Sequence, residues 1–493
     1  TGSEFIETPI QTILTKNDGS IWLGTVSDGL IEILTTPTNY YEFKFHPITN
    51  KRILALESDR NGAILCGTEN DGLFVLGNDK KLNSLKYNKS KLKGIKSNSI
   101  WSVFIDENDR IWIGYFNQGI DIYDKEKERF KSIESIPNKD QSLYSKSVTA
   151  ITQDNQDRLW IGIADGGIDV YNSKTQEFIH LLDENNPIAK GLTSSDVVTV
   201  FIDKKQNVWV GTWNSGIFLL EKGKKRFKNI QVKNSNDVFK SNRIMSFAED
   251  SKGTIWIGSF LSGLYSYNPY TRNFTHHQET ALKEQYIDSK NIRKVLVDHD
   301  DNIWLGTRTG LFKVSDIKTN PKVESYNAFI NKDLNTNTKF NVITTLFEDK
   351  NKNIWIGTDG YGLCQLNTKN NAIKWHNTSD NFIHQSITSF VETKPGIFWF
   401  TGNNGMTKFN IKKNSFTNYN TQDGILANNF NKNSVHLSKD GMLYFGCHKG
   451  VNYFDPSEIT TNFDIPKVYI SDFKLSNKSI KPSKENSPLK KVI

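Results

Sequence analysis

The residue types that usually carry catalysis or bind metals are scattered along this chain. The nine histidines are dispersed over 493 residues, and the one adjacent pair, His276 and His277, would point to opposite faces of a strand. The three cysteines, Cys66, Cys364 and Cys447, are far apart in the sequence and form no CxxC motif. They therefore indicate neither a zinc site nor a disulfide scaffold. No GxSxG, HExxH or phosphate-binding loop is present. The sequence therefore predicts no catalytic site, no metal site and no cofactor.

One acidic residue type does recur at a fixed position. An aspartate stands six residues before an aromatic or aliphatic residue that repeats along the chain. Such a series could place carboxylates around an axis, for catalysis or for a metal. Asn61-Gly62 and Lys252-Gly253 follow two of these aspartates, as in turns where a carboxylate accepts hydrogen bonds from backbone N–H groups. We interpret the series as turn residues: Asp59, Asp106, Asp154, Asp203, Asp250, Asp298 and Asp349.

A second group of residues suits ligand binding. Aromatic rings stack on the apolar face of a sugar, and amides donate to and accept from its hydroxyls. Arginine is the natural bidentate partner of a carboxylate or sulfate. Such side chains recur in turns and connections that we expect at one end of the fold, and they predict an oligosaccharide ligand with acidic groups. The candidates are Trp101, Tyr115, Trp213, Asn214, Arg243, Arg293, Arg308 and Tyr361.

Two other functions stay open at this point. Carboxylates that converge on an axis would make a glycoside hydrolase or a polysaccharide lyase. A broad exposed apolar patch would instead indicate a scaffold that binds other proteins.

The elements that must position these residues follow from an internal repeat. The phrase from Ile111 to Gly114, Ile-Trp-Ile-Gly, recurs in variants through the chain. A period in the forties with short apolar strands is the length of one β-propeller blade. Ten copies are spaced by 43 to 51 residues and are keyed on Trp22, Leu65, Trp112, Trp160, Trp209, Trp256, Trp304, Trp355, Trp399 and Tyr444.

Each repeat has the pattern of four antiparallel strands joined by hairpins. Between Ser145 and Leu182, four β-prone segments alternate with turns at Asn155–Asp157, at Ala164–Gly166 and near Asn172. The tryptophan in each repeat is expected to pack between neighbouring blades. The sequence therefore predicts an all-β fold made of four-stranded antiparallel propeller blades.

Ten repeats exceed the four to eight blades of an ordinary ring. The last repeat lacks a fourth strand, because residues 450–456 lead directly to Pro466. Residues 130–133 follow the third repeat and could pair with residues 450–454 to close a ring. This pairing predicts one complete seven-bladed propeller preceded by three blades of a truncated propeller.

Composition adds limits on location and partners. The net charge of +8 comes mostly from lysines scattered in turns, which indicates a solvated surface and no nucleic-acid partner. No segment is apolar enough to span a membrane, and the chain begins at Thr1 without a signal-peptide pattern. We therefore expect a piece of a longer protein.

The repeats and the segment after them resemble a known family. Ten Trp-Ile-Gly-Thr type repeats followed by residues 466–478 and by Ser487-Pro488-Leu489 are similar to the sensor region of Bacteroidetes-type hybrid two-component systems. That family has two seven-bladed regulator propellers, a tyrosine-containing β-sandwich, a membrane helix and a histidine kinase. The resemblance implies three divisions here: residues 1–128, the last three blades of the first propeller; residues 129–460, the complete second propeller; and residues 461–493, the start of the sandwich.

The resemblance also implies a function. This chain would be the periplasmic, non-enzymatic sensor region that recognises glycan-derived oligosaccharides and so controls genes for polysaccharide use. The whole protein would be a homodimer, held at the inner membrane only by segments that follow this chain.

Overall fold

The computed structural model describes residues 7–35, 41–89, 94–125, 127–137, 139–183, 185–230, 243–277, 290–317, 321–327, 342–376, 382–459 and 472–480. In these ranges the chain consists of short β-strands joined by tight turns, and the repeating unit is a four-stranded antiparallel sheet. The predicted all-β propeller class is confirmed.

The first three repeats form three successive sheets. The third sheet has three strands, because the strand that follows it in the chain pairs elsewhere. The strands are β1 (Ile10–Thr15), β2 (Ile21–Thr25), β3 (Leu30–Thr35) and β4 (Tyr41–His46); β5 (Ile53–Ser58), β6 (Ile64–Thr68), β7 (Leu73–Leu76) and β8 (Leu82–Leu85); and β9 (Ile100–Ile105), β10 (Ile111–Tyr115) and β11 (Ile120–Tyr123).

Seven further sheets follow, and we call them the ring. Six are built from consecutive strands: β13 (Val148–Gln153), β14 (Arg158–Ile163), β15 (Gly167–Asn172) and β16 (Glu177–His180); β17 (Val197–Ile202), β18 (Val208–Thr212), β19 (Ile217–Leu220) and β20 (Lys228–Ile230); β21 (Ile244–Glu249), β22 (Ile255–Ser259), β23 (Gly263–Asn268) and β24 (Asn273–His276); β25 (Ile292–Val297), β26 (Ile303–Thr307), β27 (Leu311–Ser315) and β28 (Lys322–Ser325); β29 (Ile343–Glu348), β30 (Ile354–Thr358), β31 (Leu363–Leu366) and β32 (Ile373–His376); and β33 (Ile387–Lys394), β34 (Ile397–Gly402), β35 (Gly405–Asn410) and β36 (Ser415–Tyr419).

The seventh sheet joins the two ends of the ring. It contains β37 (Phe430–Leu437), β38 (Leu443–Cys447) and β39 (Gly450–Phe454), and its outer strand is β12 (Lys131–Glu134) from more than 300 residues earlier. β12 is antiparallel to β39, with Lys131 opposite Tyr453 and Glu134 opposite Gly450. Buried Phe130 packs edge-on against Phe454, with ring centroids 4.9 Å apart. The predicted pairing of residues 130–133 with residues 450–454 is confirmed.

The first strand of each ring sheet is the innermost one. Each contacts the first strand of the next sheet, and β37 of the seventh sheet contacts β13 of the first. These seven strands therefore surround a central channel. Side chains fasten them together: Thr149 Oγ1 donates to the carbonyl of Val197 at 2.8 Å, and Asn431 Nδ2 donates to the carbonyl of Val148 at 2.7 Å.

Tryptophans fill the spaces between sheets. Trp160 is 2% exposed and lies in one hydrophobic cluster with Val197 and Val208 of the following sheet. Trp355 clusters in the same way with Ile387 and Phe398. Because burial of a large aromatic side chain at each junction removes apolar area from water, these residues hold the sheets together. The prediction that they pack between blades is confirmed.

The chain divides into two compact units after Phe454. Residues 1–454 form one unit and residues 455–493 a second. The second unit contains two-residue strands β40 (Lys474–Leu475) and β41 (Lys478–Ser479), which pair antiparallel. Most of the predicted sandwich segment, residues 461–493, lies outside the described residues. The boundaries predicted at 128/129 and 460/461 remain predictions.

Candidate functional site

The recurring aspartates hold the first hairpin turn in seven of the ten propeller sheets. Asp154 Oδ1 accepts from the backbone N–H groups of Gln156 and Arg158 at 2.9 and 3.0 Å. Its other oxygen accepts from the indole Nε1 of Trp160 at 3.0 Å. The indole bond recurs at Asp106, Asp203, Asp250, Asp298 and Asp349. The turn interpretation is therefore confirmed, and the carboxylates also fix the packing tryptophans.

Two candidate ligand residues lie in the three sheets before the ring. Trp101 is 51% exposed and stacks on Phe116, with centroids 5.0 Å apart. Tyr115 is 7% exposed, its hydroxyl donates to Asp121 at 2.8 Å, and it also accepts from the backbone N–H of Lys96 at 3.1 Å. Tyr115 thus serves the packing of its own sheet, and neither residue belongs to the ring.

The other candidates lie at one end of the ring, which we call the loop face. It comprises the turns between second and third strands and the entries into the first strands. Arg243 enters β21, and its guanidinium carbon lies 5.0 Å from the ring centre of Trp213 and 5.6 Å from that of Phe260. The two rings are 5.4 Å apart. One face of Trp213 is thus covered by a cation, and Phe260 is a contributor that the sequence analysis did not single out.

A second charged group lies in the next sheet around the loop face, β25 to β28. Arg293 and Arg308 come from the same sheet and are close enough to influence each other. Burial lowers the pKa of Arg293, Asp359 opposes that change, and the like charge of Arg308 adds to it. Arg293 Nε is buried without a hydrogen-bond partner in the described part of the chain.

Asp359 supplies the negative charge of this group. Its carboxylate accepts from Ser386 Oγ at 2.6 Å and from Lys432 Nζ at 3.4 Å. The bond from Ser386 lowers the pKa of Asp359, and Lys432 and Arg293 lower it further. Lys432 was not predicted from the sequence. No sequence signal marked it, because the spacing from Trp399 to Tyr444 is 45 residues, within the range of the other repeats.

The remaining two candidates flank these groups. Asn214 is exposed in the turn after β18, next to Trp213. Tyr361 is half-buried in the turn that contains Asp359, and its backbone N–H donates to Thr358 Oγ1 at 3.1 Å. The structure therefore unites Trp213 with Arg243, and Arg293 with Arg308, on one face.

The adjacent histidines have separate partners. His276 Nε2 bonds the carbonyl of Ser262 at 2.7 Å, while His277 Nε2 bonds Ser266 Oγ at 2.8 Å. Among the described residues, no three histidine, cysteine or acidic side chains form a group able to hold a metal ion.

A groove lies between the three-sheet segment and the ring. Its volume is about 850 Å³. Leu65, Ile95 and Ile113 line one side, and Ile425 and Leu426 line the other. The groove is mainly apolar and contains none of the predicted ligand residues.

These features define a β-propeller protein with a cationic and aromatic loop face. Residues 94–117, 191–214, 239–260 and 339–360 match the two-component regulator propeller family. The chain is 26% identical over 317 residues to histidine kinase P4 of Formosa agariphila, covering 62% of this chain and 22% of that protein. It therefore spans less than a quarter of that relative.

Solved structures agree on the fold. The extracellular domain of a putative hybrid two-component system of B. thetaiotaomicron is 21% identical, with a TM-score of 0.71, over 98% of this chain and 62% of that one. A second such domain from the same organism is 18% identical, with a TM-score of 0.55, over 98% and 63%. The chain thus resembles the sensor regions of Bacteroidetes-type two-component systems. No helix in the ranges described is long and apolar enough to cross a membrane.

Proposed function

We propose that this chain is the periplasmic sensor region of a hybrid two-component histidine kinase, and that it binds oligosaccharides released from polysaccharides. The match of its repeats to the two-component regulator propeller family carries this proposal. The similarity to a histidine kinase and to extracellular domains of two-component systems supports the same role. The kinase, the membrane anchor and the control of polysaccharide-use genes would belong to the whole protein, which we expect to be a homodimer.

The chemistry of the loop face favours a ligand with acidic groups. Arg243, Arg293 and Arg308 bring three guanidinium groups to one end of the ring, and Trp213 and Tyr361 add rings beside them. A carboxylate or sulfate on a sugar would pair with a guanidinium, while the apolar face of the sugar would contact a ring. Since Arg243 already covers one face of Trp213, a sugar would stack on the other face or displace the arginine.

Calorimetric titration with a panel of neutral and acidic oligosaccharides tests the proposal. We expect saturable binding of an acidic oligosaccharide and no release of reducing ends or unsaturated products. Binding of neutral oligosaccharides alone would contradict the acidic ligand. Steady product formation, at roughly 1 s⁻¹ or faster, would instead favour a glycoside hydrolase or lyase.

One observation favours protein binding at a different place. The third sheet exposes an apolar surface, since Trp101, Phe104, Phe116, Ile120 and Ile122 are each between 51% and 66% exposed. Contiguous apolar patches of this kind mark packing surfaces. A partner there would be a second blade-like sheet, so it would add to the sensor role and leave the loop face free.

A further inference from the structure

One lysine lies where every other ring sheet has a small residue. The first strand of each ring sheet contains a β-bulge, where its register with the second strand shifts. The residue after this bulge lies opposite the glycine of the Trp-x-Gly phrase or its equivalent, as Lys294 lies opposite Gly306. A Cβ atom added to Gly306 would lie 2.7 Å from Ile343 Cγ2 of the next sheet, so neighbouring sheets are in close contact there. The equivalent residues in the other six sheets are Ala150, Thr199, Ser246, Thr345, Ser389 and Ser434.

The close contact leaves a long side chain little room between the sheets. Because β25 is an innermost strand, the remaining space for the Lys294 ammonium is the central channel. Lys294 is partly buried, and its ammonium group has no hydrogen bond or ion pair within the described ranges. Burial lowers its pKa to about 8, and no charged neighbour contributes to that change. A desolvated ammonium group without a carboxylate costs free energy unless an ion or water compensates it.

The channel is covered on the loop-face side by an insertion in β37. Between Phe430 and Val435, four residues of β37 stand opposite a single residue of β38. Asn433, which has a left-handed backbone with φ 57°, donates from Nδ2 to the carbonyl of Thr344 at 3.4 Å. That carbonyl belongs to a sheet two positions away, so the insertion reaches over the channel.

Polar atoms without partners occur at this cover. Ser434 is 1% exposed, and its Oγ has no hydrogen-bond partner among the described residues. Asn433 Oδ1 is also buried and has no hydrogen-bond partner among the described residues. A water molecule in the channel would satisfy this oxygen. In the sheets on either side of Lys294, the equivalent residues Ser246 and Thr345 are 3% and 4% exposed. Ser246 Oγ accepts a hydrogen bond from the backbone N–H of Val295 at 3.1 Å, so the hydroxyl proton of Ser246 is free to donate to another group.

Positive charge is also in excess at the loop face, which lies at the covered end of the channel. Arg293, Arg308 and Lys432 lie there, and Asp359 is the one carboxylate among the described residues found in interaction with any of them. We propose that the central channel binds a small inorganic anion on Lys294, with hydroxyl groups of the flanking first strands as further donors. This site is separate from the sugar site on the loop face and does not depend on it.

Thermal unfolding in different sodium salts tests the proposal. Chloride, bromide and phosphate are titrated at constant ionic strength, with bulky gluconate as the balancing anion. We expect the melting temperature of the wild type to rise and saturate with at least one small anion, because a ligand of the folded state stabilises it. Lys294→Thr, which restores the residue found in two other sheets, should lose this response. The exposed Lys369→Met should keep it.

Two results would overturn the channel site. One is a wild type with the same melting temperature in every salt, and the other is a Lys294→Thr variant that responds as the wild type does. If Lys294→Thr does not fold, crystals of the wild type soaked in bromide decide. An anomalous peak within hydrogen-bonding reach of Lys294 Nζ supports the site, and a channel without one contradicts it. Oligosaccharide titrations are unaffected by either outcome.

Discussion

A hydrogen bond between an aspartate and the indole of the tryptophan six residues later recurs in six sheets. Two sheets show what happens without the aspartate. Trp22 and Trp399 have Lys16 and Thr393 at that position, and their Nε1 atoms are buried without a hydrogen-bond partner in the described chain. The tryptophan therefore stays in place for its apolar packing, and the carboxylate adds stability by satisfying the indole N–H and the turn.

Removal of one such carboxylate should destabilise the ring. Asp349 is 4% exposed and accepts from the N–H groups of Asn351 and Asn353, each at 2.9 Å, and from Trp355 Nε1 at 2.8 Å. An unsatisfied buried donor costs about 1–3 kcal/mol. We expect Asp349→Ala to lower the free energy of unfolding in urea by about 3 kcal/mol, and the exposed neighbour Lys350→Ala to leave it nearly unchanged. Equal stability of the two variants would contradict this role.

The arginines of the loop face should affect binding more than stability. Arg308 is exposed, so its loss removes little packing. A hydrogen bond to a charged group contributes about 1.5–3 kcal/mol. We expect Arg308→Ala to weaken binding of an acidic oligosaccharide about tenfold or more, with an unchanged melting temperature. Arg272→Ala is the matched control, because Arg272 is 73% exposed in the turn before β24, away from the loop face. Equal affinity of Arg308→Ala and wild type in calorimetric titration would exclude Arg308.

At the level of elements, strand placement was largely predictable from the sequence. The Trp-x-Gly phrase marks the second strand of each sheet, and turn residues mark the hairpins. The outer strand β12 was predictable because the last repeat lacked a fourth strand. The insertion in β37 was not predicted, because residues 431–433 have the same polar composition as an ordinary turn. The sequence position of Tyr115, near a turn, did not reveal that its ring packs inward and that its hydroxyl bonds Asp121.

The closing strand offers a test at this scale. A variant that begins at residue 127 keeps β12, while one that begins at residue 136 loses it and exposes the edge of β39. Loss of a buried aromatic side chain such as Phe130 alone costs about 3–5 kcal/mol. We expect the longer variant to unfold cooperatively in urea and the shorter one to be less stable by at least that amount. Equal midpoints would mean that the pairing of Lys131 with Tyr453 contributes nothing to closure.

On the scale of the whole molecule, the number of sheets and the ring closure follow from the repeat count, but the position of charges around the channel does not. A sequence period identifies equivalent residues, and so it could have revealed Lys294 as the exception among Ala150, Thr199, Ser246 and Thr345. The period does not tell which equivalent side chains meet across the channel. The contact between the β37 insertion and Thr344 depends on ring curvature, which no local pattern encodes.

Buried histidines should make the whole fold sensitive to acid. Burial lowers the pKa values of His277, His384 and His436 to about 4 each. The charge of His276 lowers the pKa of His277 a little further. At His436, Lys439 lowers the pKa and Asp440 raises it. Unfolding restores the ordinary value of 6.5, so the unfolded chain binds these protons first as the pH falls. Stability should therefore fall from pH 6.5 to about 4, by about 1.4 kcal/mol per pH unit for each histidine.

His180 affects the stability of the fold in a different pH range. Its bond to Asp169, at 2.7 Å, raises its pKa. Because the folded chain then binds this proton more tightly than the unfolded one, His180 favours folding below pH 6.5. That contribution is lost as the pH rises above 6.5, so it does not obscure the acid slope.

Urea unfolding at intervals from pH 7.5 to 4.5 measures the acid slope. We expect the free energy of unfolding to decline steeply below pH 6.5, and His384→Asn to reduce the slope by about one third, since one of three titrating groups is removed. The slope is the decisive quantity, because the substitution also removes the bond of His384 to Thr407 and lowers stability at every pH. An unchanged slope in His384→Asn would show that the pKa of the His384 imidazole does not differ between the folded and unfolded states. The acid sensitivity of the ring would then have another source.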